Sequence, residues 1–551
     1  MNTTETVRVA VNEANLVRNL KFAFSNYSTF LAELIQNSRR AGATKVDIDL
    51  DGQTLTVSDD GNGIENFQSL LTIGDSGWDN QTQSLENPFG MGFTSALFAC
   101  AHLMVESRGQ KIAGTTMALL AREDMAVTAG SVSTGTRLTL KGLTFDQTKI
   151  EPALKEIATG YAIPIVFNGE KIARPYALRE DRFDRTATGW ISIPDLCSVG
   201  TSGSAMLVYL QGILVYGTWS RNSKPVIVHL DSTRFAARMP DRNCLIDAYE
   251  KIEEIKQSVG ALVHAKLVQQ QKELNAEEFA ARYWRTALEF APDVLRDHPV
   301  VPSNLFVKLL ELQCWAYWFE PSGHPHDLGL VTRDAFERGD LKIVRGRDTV
   351  YLEDDPLSAV KRAYVMAHGG LVMQENMLPP GHWLLNAPDL DLDDFEVHYK
   401  ILNEGVVAGS DCLALQFSIR LCEAIEIEGP WGAVVIDDKE VAIGVDGKGG
   451  VVSEACLYVP AKTTALGGGV LQFESFSNGD DRHDETAQDE AIRQYRRWIN
   501  QARNASPVAL LNDLLSTVRV DVVTARGARF ILEVSETGGL KVVEQVDAAK
   551  N

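Results

Sequence analysis

The chain has 551 residues, 45% apolar and 23% charged. These are ordinary proportions for a soluble globular protein, but the length is too great for one core, so three or four domains are expected. A net charge of −21 argues against a protein that coats nucleic acid non-specifically, because phosphate binding needs a basic footprint; a local basic groove stays open. Seven scattered cysteines with no C-x-x-C pair argue against a zinc site or redox dithiol and for a reduced compartment. The polar N-terminus lacks the basic and apolar regions of a signal peptide, and no run approaches the ~18 apolar residues of a spanning helix. A cytoplasmic protein with no membrane partner is expected.

In chain order, residues 6–11 alternate weakly, as a short edge strand would. Between 12 and 41 the pattern is helical, with Leu16, Leu20, Phe24, Phe30, Leu31, Leu34 and Ile35 at three- and four-residue steps. Gly42 is its C-cap. Residues 45–50 and 54–58 alternate around Asp51-Gly52, a hairpin signal. Residues 73–89 are polar and aperiodic, as a mobile loop would be. A helix over 92–100 follows, then strands over 102–108, 115–120 and 136–141, a helix over 151–158 and a hairpin from 163 through Asn168-Gly169. Helices followed by antiparallel strands indicate an α+β sandwich, one sheet covered by helices on one face.

Composition turns charged and aperiodic at 174–186, the expected boundary. Strands at 205–210, 213–216 and 226–230, then a long helix over about 245–274, make a second, smaller α/β unit. Further on, Trp284, Trp315 and Trp318 sit in apolar helical patterns and read as core. A hairpin at 341–352, helices at 356–367 and 413–425, a charged helix at 485–502 and strands at 433–436, 441–445, 518–523 and 529–534 complete the reading. The expected domains are residues 1–174, residues 175–274, a mixed, mainly helical region over 275–410, and an α+β domain over 411–551.

Four clusters carry chemistry. Glu33 and Asn37 are four residues apart on the first helix, so they share a face. A carboxylate one water from a γ-phosphate can act as general base, and an amide oxygen one turn away is a hard ligand suited to Mg²⁺. Alone, the pair also suits a solvated amphipathic helix. Asp59-Asp60-Gly61-Asn62-Gly63 ends a strand with a carboxylate able to accept from the exocyclic amino group of adenine, and its glycines allow close approach to a flat base; it also suits an ordinary turn. Gly90-Met91-Gly92 precedes Phe93, Thr94 and Ser95, whose N–H groups at a helix start attract phosphate. Gly135-Thr136 opens a strand, with a hydroxyl able to share hydrogen bonds with a base and a neighbouring carboxylate.

In this order and spacing the clusters resemble the GHKL superfamily of gyrase-type topoisomerases, ninety-kilodalton heat-shock chaperones, histidine kinases and MutL. The resemblance spans about residues 6–169. Leu34 to Thr44 is closest to MutL, and Asn87-Pro88-Phe89-Gly90-Met91-Gly92-Phe93 to the chaperones. It implies a Bergerat fold binding ATP and Mg²⁺, with Glu33 as general base, Asn37 as the Mg²⁺ ligand and Asp59 as the adenine reader. Gly61 and Gly63 would border the base. Residues 73–89 would form the ATP lid, and Gly90, Gly92, Phe93, Thr94 and Thr136 would line the nucleotide. Two positions depart from the family pattern: Arg40 stands where an acidic residue is frequent, and Asn87 where the lid motif often begins with glycine.

Residues 175–274 stand where several of these families keep a transducer domain, which returns a basic residue to the γ-phosphate. Arg242, in Arg238-Met239-Pro240-Asp241-Arg242, is the first candidate and Lys224 the second. No dimerising helix with a phospho-acceptor histidine precedes the ATP domain, which disfavours a histidine kinase. Asp389-Leu390-Asp391-Leu392-Asp393, Asp481-Arg482-His483-Asp484-Glu485 and His324-Pro325-His326-Asp327 imitate metal motifs but read better as charged loops or a helix start. The leading expectation is a slow ATPase acting as a chaperone-like conformational clamp, with nucleotide-dependent homodimerisation and an unknown client protein or DNA. A DNA-transaction or defence-type module gating a C-terminal effector, and a non-hydrolysing ATP-binding scaffold, are the alternatives.

Overall fold

The computed structural model describes residues 27–72, 92–199, 205–220, 224–238, 242–309, 329–345, 358–390, 394–409, 416–446, 452–463, 528–537 and 539–546, with isolated positions elsewhere. The expectations at 6–11, 12–26, 73–89 and 518–523 lie wholly or mostly outside the described residues. So do those at Gly90, Trp315, Trp318, 324–327, 391–393 and 481–485. The chain divides into two compact units, Met1–Leu295 and Arg296–Asn551. Among the described residues no helix is long and apolar enough to cross a membrane.

The first unit opens with helix α1 (Tyr27–Arg40), which buries Phe30, Leu31, Leu34 and Ile35. Strands β1 (Val46–Asp51) and β2 (Thr54–Asp59) form the expected hairpin. They are followed by α2 (Phe67–Leu71), a 3-10 turn (Phe93–Ser95) that leads into α3 (Ala96–Ala99), β3 (Cys100–Ser107), β4 (Gln110–Thr115), α4 (Thr116–Leu120), β5 (Thr128–Ala129), β6 (Thr136–Leu143), α5 (Ile150–Ala158), β7 (Ile165–Phe167) and β8 (Glu170–Lys171). These eight strands make one sheet in the order β5-β4-β3-β6-β2-β1-β7-β8. Only β1 and β7 pair in parallel. Core side chains of the sheet, Val46, Ile48, Leu55, Val105 and Leu140, pack with those of α1 and with Ile150 and Leu154 of α5. The unit is the α+β sandwich expected.

One segment differs. Residues 115–120 are not a strand: β4 ends at Thr115, whose side chain caps α4 by accepting from the Ala118 N–H at 3.1 Å. The N-cap Thr115, with Met117, Ala118, Leu119 and Leu120 as good helix formers after Thr116, outweighs the short apolar run.

A second sheet follows, built from β9 (Asp184–Thr186), β10 (Gly189–Ser192), β11 (Met206–Leu210), β12 (Ile213–Thr218) and β13 (Val226–Leu230) in the order β12-β11-β13-β10-β9. The first two of these strands fall in and just after the stretch read as an aperiodic boundary. They are only three and four residues long, so periodicity could not register them. The turn between β11 and β12 meets α1 through a polar contact, Gln36 Nε2 donating to the Gln211 carbonyl at 3.0 Å. Beyond α5, Tyr161 Oη donates to the Ile35 carbonyl of the same helix at 2.8 Å, from within the core of the first sheet. The long helix α6 (Ala248–Glu273) presents Ile252, Ile255, Val259, Val263 and Leu267 at three- and four-residue steps. It is followed by α7 (Ala276–Phe290), where Trp284 is core as expected, and α8 (Pro292–Leu295).

The second unit contains β14 (Val300–Pro302), β15 (Phe306–Leu309), β16 (Ser322–Gly323), β17 (Leu330–Thr332), α9 (Arg333–Glu337), β18 (Ile343–Arg345), α10 (Ser358–Ala367) and β19 (Leu371–Met373). It continues with β20 (Glu396–Gly409), β21 (Gln416–Gly429), β22 (Gly432–Ile436), β23 (Val441–Asp446), β24 (Val452–Pro460), β25 (Arg529–Val534) and β26 (Leu540–Val546). The helix expected over 413–425 is instead strand, since β21 starts at Gln416. Its buried Ile425 and Ile427 alternate with exposed Glu426 and Glu428. Non-local pairing with β20 and β24 overrides the local apolar spacing. The isolated described positions between 486 and 500 are helical, as expected there.

His382 in this unit is 1% exposed. Burial pushes its pKa down to about 4. The folded state then binds fewer protons than the unfolded chain below pH 6.5, so stability is lost as pH falls from that value toward 4. The expected loss attributable to His382 is about 2 kcal/mol between pH 7.5 and pH 5. Urea unfolding at both pH values should show a smaller drop in His382→Gln than in wild type; equal drops would remove His382 as the cause.

Candidate functional site

The site lies where α1 meets the ends of β2, β6 and β3. Register sets it: Asp59 pairs with Thr136, and Thr136 pairs with Ser107, so the three end their strands in one row. Helical spacing then puts Glu33, Asn37 and Arg40 on one side of α1.

Asp59 is half-buried, and three donors converge on its carboxylate. The Gly61 N–H reaches Oδ1 and the Ser38 hydroxyl reaches Oδ2, each at 3.0 Å, and the Thr136 N–H also donates. Burial nevertheless outweighs these bonds and raises its pKa. In the folded state the carboxyl therefore holds a proton more readily, so the stability it contributes is present at low pH and lost as pH rises through the raised value. A carboxylate offers about four lone-pair sites, which leaves room for one further donor from a ligand. Asp60 has a different task. It accepts from the Thr44 N–H at 2.7 Å, from the Lys45 N–H at 3.2 Å and from the Thr44 hydroxyl, and these bonds lower its pKa.

The glycines permit close packing. Gly63 has φ +74°, and a Cβ there would lie 2.6 Å from Ser107 Oγ and 3.0 Å from the Gly135 carbonyl oxygen. Gly135 has φ +73° and lies with its Cα face against the Asp59 backbone, where a Cβ would collide with the carbonyl. A side chain at either position meets both backbone strain and overlap. Ser107, fully buried, ties the two loops together: its Oγ accepts from the Ile64 N–H at 2.9 Å and donates to the Gly135 carbonyl at 2.7 Å. Ser38 and Ser107 are the residues that motif reading missed. Ser38 directly follows Asn37 in the helix motif; Ser107 carries no signal beyond its place at a strand end.

Glu33 is buried at 4% exposed. Gly92 packs on it so closely that a Cβ would come within 3.1 Å of Glu33 Cδ. Thr94 and Ser95 are buried beside this turn, and the Ser95 N–H is engaged by the Gly92 carbonyl at 3.3 Å. Gly90 lies outside the described residues.

The charged partner of Glu33 comes from far along the chain. Arg242 Nε donates to Glu33 Oε1 at 2.6 Å, across 209 residues of sequence. An isolated bridge between Ala237 and Leu245, with the Arg238 N–H on the Cys244 carbonyl at 2.8 Å, pins the loop that carries it. Arg242 has φ +51°, a left-handed conformation unusual for a non-glycine residue. The structure thus brings Arg242 to Glu33, while Lys224 is exposed.

The residues around Asn37 bear on the expected Mg²⁺. Asn37 Oδ1 accepts from Arg40 Nη1 at 3.1 Å, and the same nitrogen is 3.9 Å from Glu33 Oε2. A guanidinium therefore stands where the charge of a dication held by Asn37 would sit. This donor set does not fit a metal on Asn37 Oδ1.

A separate pocket of about 390 Å³ is lined by Arg39, Trp190, Gln211 and His229 among others, and none of the nucleotide candidates lines it. Its histidine is accounted for structurally: His229 stacks on Tyr209 and its Nε2 shares a 2.7 Å hydrogen bond with the Tyr176 carbonyl.

No curated protein matches the sequence. Residues 25–145 match the family described as histidine kinase-, DNA gyrase B-, and HSP90-like ATPase, and the segment so matched holds α1, Glu33, Asn37, Asp59, Gly92 and Thr136. The chain carries a GHKL-type ATPase domain at its N-terminal end.

Proposed function

We propose that this protein binds ATP in the cleft between α1 and the ends of β2, β6 and β3, hydrolyses it slowly, and uses the cycle as a conformational clamp. The observation that supports the reading best is the Arg242–Glu33 contact, 2.6 Å between groups 209 residues apart. It couples the nucleotide domain to the loop after the second sheet. Asp59 receives the adenine amino group, with Gly61, Gly63 and Thr136 around the base. Glu33 takes a proton from water as its oxygen attacks the γ-phosphorus and the bond to the β–γ bridging oxygen breaks. The same carboxylate cannot serve as base while held by Arg242. Turnover therefore requires Arg242 to shift toward the phosphates, where its charge is useful in the transition state. That requirement is the physical reason for slow hydrolysis.

The test is ATP affinity. Asp59→Asn should weaken ATP binding about ten- to hundredfold, the range for a lost charge-assisted hydrogen bond. GTP should bind poorly to wild type, because its carbonyl would face the Asp59 carboxylate. Calorimetric titration distinguishes the outcomes: equal ATP affinity in wild type and Asp59→Asn would remove the adenine assignment. Stability at neutral pH should change little, since the amide avoids the burial cost that raises the carboxyl's pKa.

A further inference from the structure

Arg40 stands out in the sequence only as a departure from the family pattern; in the structure it is part of the site. Its side chain is 2% exposed, and its Nη1 lies between Asn37 Oδ1 and Glu33 Oε2, at 3.1 and 3.9 Å. All three residues belong to α1, at steps of four and three, so the helix itself fixes the arrangement. A guanidinium stays protonated throughout the accessible pH range and presents several donors in one plane. Two guanidinium groups, Arg40 and Arg242, stand against Glu33, and such groups also pair well with phosphate oxygens.

We propose that Arg40 supplies, from within the chain, the positive charge that a divalent ion would bring to the nucleotide phosphates, so that ATP binds with little dependence on Mg²⁺. The inference rests on the reading of this cleft as an ATP site. Mg²⁺ demands near-octahedral oxygens at close range. The oxygen it would use is occupied by a cationic donor, so an ion there would face a fixed like charge held by the same side chain. Arginine is well suited to the substitute role, because its planar fork matches two phosphate oxygens at once. Mg²⁺ carried on the outer phosphate oxygens is compatible with this arrangement; the proposal concerns what holds ATP to the protein.

The experiment is calorimetric titration of the full chain with ATP, once in excess Mg²⁺ and once in EDTA. Wild type should bind ATP in EDTA within about threefold of its affinity with Mg²⁺. Arg40→Asp, which removes the cation and frees Asn37 Oδ1, should bind at least about tenfold more weakly in EDTA and regain affinity when Mg²⁺ is added. Arg40→Gln is the milder variant should the aspartate prevent folding, and it too should lose affinity in EDTA. A wild-type protein that needs Mg²⁺ for binding, losing about tenfold or more in EDTA, overturns the role of Arg40 and leaves the ATP site standing. Absence of ATP binding in both buffers overturns the ATP reading itself, and this inference with it.

Discussion

Glu33→Gln is expected to lower ATP turnover by at least about a hundredfold while ATP affinity stays within about threefold of wild type, since general-base catalysis contributes roughly 10²–10⁴ in rate. The substitution is close to isosteric. Its amide oxygen can still accept from Arg242 Nε, now 2.6 Å from Glu33 Oε1, so the loop from the second sheet stays docked. What is lost is the capacity to take a proton from water. The amide also lacks the charge that holds Arg242 back, so the arginine is freer to move to the phosphates. A chain that binds ATP and cannot hydrolyse it should accumulate in the nucleotide-bound state. If the clamp closes between two copies, light scattering should show the mass doubling with ATP in Glu33→Gln and a smaller shift in wild type. Unchanged turnover would take the base assignment away from Glu33, and an unchanged mass would take away the homodimer.

Much of this site is legible because its residues are spaced by local rules. Glu33 and Asn37 follow from helix geometry, and Asp59 from the end of a hairpin whose turn is marked by Asp51-Gly52. Gly63 and Gly135 mark places where the backbone must approach another backbone. The residues that hold the site are harder to find. Ser107 acts only because β3 lies next to β6, a pairing that no local pattern specifies. Arg40 is visible in the sequence as an exception to a motif; that its guanidinium meets Asn37 one turn back is seen only in the structure. Arg242 is a candidate by its position in the chain, and nothing in its own neighbourhood shows which acid it meets. The limits on the fold have the same origin. Short β10 gains its place from β13, with β9 paired to it in turn, and β21 is extended because β20 and β24 flank it. In each case long-range pairing outweighs a weak or contrary local signal.

Arg242→Ala should destabilise the first unit by about 3 kcal/mol, the scale on which removing one partner of a buried ion pair leaves an uncompensated charge. Glu33 and Arg242 have side chains 6% and 10% exposed, so solvent cannot replace the lost partner at low cost. Arg40, at 3.9 Å from the other carboxylate oxygen, offsets part of the loss, which holds the figure toward the lower end of the range for such deletions. Two further variants separate the causes. Arg242→Gly removes the same side chain but also relieves a left-handed backbone at φ +51°, and should be more stable than Arg242→Ala by about 1 kcal/mol. The double variant Glu33→Gln with Arg242→Ala no longer buries an unpaired charge, and should recover much of the loss. The interaction energy from that cycle, measured by urea unfolding of the full chain and its variants, isolates the pair. Turnover supplies the functional half of the argument. If Arg242 only buttressed Glu33, freeing the base would leave turnover equal to or above that of wild type once the protein is folded. If it also meets the phosphates, turnover should fall by about 10³ or more, as when an arginine finger is removed.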